Sequence, residues 1–140
     1  MTADEVSSFW FEAGEKRWFT KDAAFDGALA VRFGEALRQA RHGAFDHWAE
    51  TPEGMLGLII LLDQVPRNIH RGSPLAFAAD ARALRHAQRA VARGFHLHMP
   101  APRAMWLIMP FEHAEDIDAQ ERCMALFASI GLNDMVHWAK

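Results

Sequence analysis

The stretch Leu56–Gly72, LGLIILLDQVPRNIHRG, constrains this chain more than any other. Its first half is apolar on every side of a helix, a pattern that belongs in the centre of a core. Its second half is a knot of hydrogen-bonding groups: Asp63, Gln64, Arg67, Asn68 and Arg71. The rest of the chain must therefore wrap the run and leave the knot with partners or a task. Thr51-Pro52 starts the helix, with Thr51 as N-cap and Pro52 in the first turn, where a missing N–H costs nothing. Pro66 cannot donate to the carbonyl of Leu62 and disfavours helical geometry at Val65. The spacing thus predicts an end near Gln64.

The flanking segments read as further helices. Thr2–Glu5 has the form of a capping box, opening a helix that runs to about Phe11 with Val6, Phe9 and Trp10 on one side. Lys16–Lys21 is a linker pinned by Trp18 and Phe19. Asp22 caps a second helix that ends at Gly43 and buries Phe25, Leu29, Phe33, Leu37 and Ala40. Ser73-Pro74 repeats the cap-plus-proline signal, so a fourth helix is expected to start there and run to about Arg93. Ala76, Ala79, Ala83, Ala87 and Ala90 form its small-residue stripe. Arg103–Met109 is a short apolar helix stopped by Pro110, and Phe111–Gln120 is a polar junction. A sixth helix follows to Ile130 with Ile117, Cys123, Met124 and Phe127 inward. Leu132–Lys140 begins another. No stretch alternates with period two for long enough to make a strand. The expectation is a single all-α domain over residues 1–140, of about six or seven helices in tetratricopeptide-like antiparallel pairs.

Composition bounds the function. A formal charge of −3 lacks the basic footprint of a general nucleic-acid binder. The apolar run is far shorter than the roughly 20 residues that cross a bilayer. The acidic start, MTADEVSSFWFEAG, lacks the layout of a signal peptide. Cys123 is alone, so no internal disulfide forms, and a reducing cytoplasm is the expected setting.

Two polar clusters carry the candidate chemistry. Asp63, in the last turn of its helix, opposes the helix dipole and needs compensation. Arg67, Asn68 and Arg71 can supply it, either by capping the free carbonyls of that helix end or by forming an anion site beside Ser73. The second cluster holds Glu112, His113, Glu115, Asp116 and Gln120. Acidic residues suit a helix start, while His113 with Glu112 or Glu115 could do acid–base work. Neither cluster has metal-ligand spacing, and no cofactor motif is present. His96 and His98 have no further ligands. Cys123 lies in an apolar stripe as an inert thiol.

Four segments carry a resemblance: F-W-F, W-F-T-K-D with F-D soon after, L-I-I-L-L-D-Q-V-P-R-N-I-H-R-G, and P-F-E-H-A-E-D-I-D-A-Q-E. Over nearly its whole length the chain resembles a bacterial family, catalogued as domain of unknown function number nine hundred and twenty-four. D-Q-x-P-R-N is its specific signature. The resemblance implies an all-helical, tetratricopeptide-like fold with no established activity. It places the family pattern on Asp63, Gln64, Pro66, Arg67, Asn68 and Arg71, and on Glu112, His113, Glu115, Asp116 and Gln120. Val65 stands for the usual Phe and Ala114 for the usual Ser. Similar proteins continue into a further helix, whose absence would leave an apolar surface open to self-association.

The leading expectation is a cytoplasmic binding module. A groove lined by Asp63, Gln64, Arg67, Asn68 and Arg71, with Glu112 and His113 opposite, would hold a small anionic molecule or an acidic peptide. The rival is a hydrolase or lyase with His113 as general acid or base, Asp63 or Glu115 orienting it, and Arg67 stabilising negative charge. A scaffold with purely structural clusters is the third reading.

Overall fold

The structure, a computed structural model, describes residues 1–132. Seven helices lie among them, with no strand. They are α1 (Ala3–Ala13), α2 (Glu15–Trp18), α3 (Ala23–Arg41), α4, α5 (Asp80–Ala92), α6 (Ala101–His113) and α7 (Ile117–Ser129). Helix α4 is continuous through three parts: Pro52–Ile59, a π-helical turn at Ile60–Gln64, and Val65–Ile69. Single 3₁₀ turns occupy Asp46–Glu50, Pro74–Phe77 and Phe95–Leu97. The helix expected at Leu132–Lys140 lies outside the described residues.

Local chemistry explains the starts. Thr2 Oγ1 accepts from the Glu5 N–H at 3.2 Å, Asp22 Oδ1 from Phe25 at 3.0 Å, and Thr51 Oγ1 from Gly54 at 3.0 Å. Each satisfies a first-turn donor that has no partner inside its helix. Met55–Leu62 is buried throughout, as is Asp63 after it, and Gln64 is the first residue to reach partial exposure. The run packs against α1, α3, α5 and α6. Gly57 permits the closest approach: a Cβ there would stand 2.5 Å from the Ala3 carbonyl oxygen.

Rings close one side of this core. Trp10, Trp18 and Trp106 meet with centroids 5.0–5.9 Å apart, and Trp18 Nε1 donates to the Trp10 carbonyl at 2.8 Å. The expected linker around Trp18 is thus in part the short helix α2, pinned by that indole. The alanine stripe is buried as predicted, and α5 packs closely on α6.

Three boundaries, each at a proline, and the facing of one residue depart from expectation. Helix α4 does not end near Gln64. The Val65 N–H reaches back five residues to the Ile60 carbonyl, and this widened turn lets the chain carry Pro66 without ending. Ser73-Pro74 starts only a 3₁₀ turn, with Ser73 Oγ accepting from Leu75 at 3.2 Å; α5 begins at Asp80. Pro110 lies inside α6, buried, rather than ending it, so Glu112 and His113 belong to its last turn and not to a loop. Ile117, expected inward, is 73% exposed because it follows directly on the Asp116 cap and faces solvent.

Candidate functional site

A cleft of about 700 Å³ opens between the C-terminal part of α4, the start of α5, the end of α6 and the connection to α7. Its walls are Phe77, Ala81, Leu84, Pro110 and Ala114; its polar groups are Arg67, Asp80, His113, Glu115 and Asp116. Pro110 and His113 share one face of α6 because they lie three residues apart, and Ala114 follows as its C-cap.

Asp63 lies at the root of the cleft's polar side, with no exposed surface. A buried carboxylate needs donors. Gln64 Nε2 donates to its Oδ2 at 2.7 Å, and His113 Nδ1 lies 2.9 Å from its Oδ1. Arg67 approaches Oδ1 at 3.4 Å and donates to the Asp63 main-chain carbonyl at 2.9 Å. The same guanidinium forks onto Asp80, at 2.8 and 2.9 Å, and lies 5.5 Å from the centre of the Phe77 ring. A carboxylate accepts only, so His113 Nδ1 must carry the proton in this contact. Nε2 of a neutral ring then keeps its lone pair, on a side chain that lines the cleft.

The two polar clusters read from the sequence therefore meet, but only in part. Asp63, Gln64, Arg67 and His113 form one network, and Glu115 stands on the rim of the same cleft. Asn68 and Arg71 are elsewhere. Arg71 donates to Asp26 on α3 at 2.6 Å and to Asn68 Oδ1 at 3.1 Å. Asn68 Nδ2 is buried with no partner among the described residues. Glu112 does not line the cleft opposite the arginines. Its Oε2 is buried and has no hydrogen-bond partner among the described residues. Burial pushes its carboxyl up, with the Asp63 charge adding to the rise and His113 and Arg67 opposing it. Behind it the Cys123 thiol is pushed up to about 12, chiefly by burial and also by the Glu112 charge. That thiol is inert at neutral pH.

Asp80 and Phe77 escaped the sequence reading. Asp80 is one acidic residue opening an alanine- and arginine-rich helix, where an acid suits the dipole without any further role. Only the fold reveals that it takes the guanidinium. His98 Nδ1 lies 2.7 Å from the Gly94 carbonyl, and His96 is buried. Among the described residues no group of three His, Cys, Asp or Glu side chains could hold a metal ion. No helix of the described chain is long and apolar enough to cross a membrane.

Fold and site together define an all-helical protein in which a buried carboxylate, an imidazole and an arginine–aspartate fork meet at the edge of a cleft. The chain belongs to a bacterial family described as "Bacterial protein of unknown function (DUF924)", whose pattern matches residues 6–138. The structure of the protein of unknown function ATU0120 from Agrobacterium tumefaciens is similar, at 39% identity and a TM-score of 0.93. The match covers 98% of this chain and 77% of that one. No curated protein matches.

Proposed function

We propose that this protein is a small-molecule enzyme of the acid–base kind, a hydrolase or lyase, with His113 as its proton-transfer group. The observation that carries this reading is the 2.9 Å contact between His113 Nδ1 and the fully buried Asp63, beside a cleft of ligand size. Asp63 fixes the ring orientation and tautomer, leaving Nε2 to take a proton from water or substrate. The imidazolium formed then faces a carboxylate. Gln64 and Arg67 position Asp63, and Asp80 positions Arg67.

Binding of a small anion or acidic peptide by Arg67, Asn68 and Arg71 has weaker support. Both guanidiniums are already taken by carboxylates, Asp80 and Asp26, and they serve different places. The tetratricopeptide-like pairing of helices belongs to the same proposal, supported by the packing of α5 on α6 and α6 on α7. So does a cytoplasmic setting, which a single buried cysteine suits.

The test has two arms. Imidazole ¹⁵N NMR should show His113 with its proton on Nδ1, and Asp63→Asn should disturb that tautomer, because an amide can donate in return. A turnover screen over small esters, amides and hydroxy acids should find an activity that His113→Gln lowers by about 10²–10⁴-fold. Gln keeps a donor for Asp63, so the fold should persist. A proton resident on Nε2, or full activity in His113→Gln, would remove the proposal.

A further inference from the structure

We infer that the ligand of this cleft carries a positively charged end on an apolar body, and not the negative charge that two arginines in the sequence suggest. The inference rests on the reading of the cleft as a small-molecule site and names the class of molecule it takes.

Arg67 is the one Arg or Lys lining the cleft among the described residues. Its guanidinium is held by both oxygens of Asp80 and by the carbonyl and carboxylate of Asp63. Two carboxylates therefore already answer its charge. An anion entering the cleft would have to displace Asp80 from a bidentate contact, which is among the stronger polar contacts a protein makes. It would also meet the two remaining carboxylates of the rim, Glu115 and Asp116. Asp116 Oδ1 accepts from the Asp118 N–H as the cap of α7. Glu115 makes no hydrogen bond or ion pair among the described residues. In the adjoining depression Arg122 lines the wall together with Asp116 and Asp118, so that lining adds no net positive charge nearby.

A cation meets the reverse situation. Glu115 offers it a carboxylate that no described residue shares, and the lining carboxylates Asp80, Glu115 and Asp116 outnumber the one guanidinium, so a cation is drawn to the mouth. Phe77, Leu84, Pro110, Ala81 and Ala114 give an apolar body surfaces to lie against beside these polar groups. Phe77 is 59% exposed, an aromatic surface open to such a body. His113 lines the same cleft, so a molecule bound there would lie beside the imidazole.

Three probes of one shape and different charge decide the matter: benzylamine, benzyl alcohol and benzoate, titrated near neutral pH. The readout is the ring signals of His113, assigned with His113→Gln. Benzylamine should bind about tenfold more tightly than benzoate, with benzyl alcohol between them, and added salt should narrow the gap. Glu115→Gln should weaken benzylamine about threefold and leave benzyl alcohol unchanged. Asp116→Asn should act in the same direction, since Asn preserves the helix cap. Benzoate binding as well as benzylamine at His113 would overturn the inference while leaving the acid–base proposal standing. If none of the three moves the His113 signals, the inference also falls, and the acid–base proposal is judged on its own tautomer and turnover tests.

Discussion

Replacing Arg67 by Met tests whether the network holds α4 to α5. Met keeps the length of the stem and removes only the charge and its donors. In the wild type Arg67 makes the Asp80 fork at 2.8 and 2.9 Å, the bond to the Asp63 carbonyl at 2.9 Å and the longer approach to Asp63 Oδ1. Removing one partner of a buried pair costs about 3–5 kcal/mol. Two features place this case at the low end. Asp63 retains Gln64 and His113 as donors, and the Asp80 side chain is 26% exposed, so water can solvate it. The expected loss is about 3 kcal/mol, which for a chain of this size lowers Tm by roughly 6–12 °C. Urea unfolding followed by tryptophan fluorescence should show a lower midpoint with an unchanged slope. Adding Asp80→Asn should cost little more than Arg67→Met alone, because an uncompensated carboxylate has gone with its partner. Arg38→Met, in the exposed pair with Glu35, should leave the midpoint unchanged. A loss below about 1 kcal/mol for Arg67→Met, or strictly additive costs with Asp80→Asn, would refute this account of Asp63 and Asp80.

Two further predictions concern the core. Gly57→Ala should destabilise by about 1–3 kcal/mol despite its better helix propensity, because the new methyl meets the Ala3 backbone. Gly34→Ala, in α3 with nothing within 4 Å of the new Cβ, should stabilise by about 0.5–1 kcal/mol; equal effects at the two sites by thermal unfolding would contradict the packing described. The Cys123 thiol, raised from an ordinary value near 9 to about 12, holds its proton in the folded state when the unfolded chain has lost it. Stability should therefore fall as pH rises through that window, by up to about 1.4 kcal/mol per pH unit, and Cys123→Ala should lack that component of the slope.

Legibility in the sequence followed the range of the interaction. Thr2, Asp22 and Thr51 act within three residues of themselves, and each caps the helix assigned to it. The stripes of α3 and α5 also read correctly, since periodicity is a local property. The prolines misled because their rule assumes an uninterrupted α-helix. At Pro66 a widened turn changes the pairing, and at Pro110 burial of the ring outweighs a lost hydrogen bond. The site was half legible. Residue types pointed to Asp63, Arg67 and His113, but the choice between partners depends on contacts across long separations. Arg71 could have joined Arg67 or left it; Asp26, 45 residues away, decides. Asp80 decides for Arg67 in the same way.

The meeting of clusters about forty residues apart has a topological cause. Short connections between packed consecutive helices force them to run in opposite directions. The end of α4 and the start of α5 then lie at one end of the bundle, and the end of α6 and the start of α7 return to it. That end collects Asp63 and Arg67, then Asp80, then His113, then Asp116. Helix dipoles favour an anion where α5 begins and a cation where α6 finishes, so Asp80 and a protonated His113 each suit their place. Asp63 is the exception, an anion in the C-terminal half of α4 and fully buried. Its position is unfavourable by itself and becomes tenable through Gln64, Arg67 and His113 together. A carboxylate that depends on three donors from two helices holds an imidazole in one orientation, and the same arrangement that stabilises the bundle end sets His113 beside the cleft.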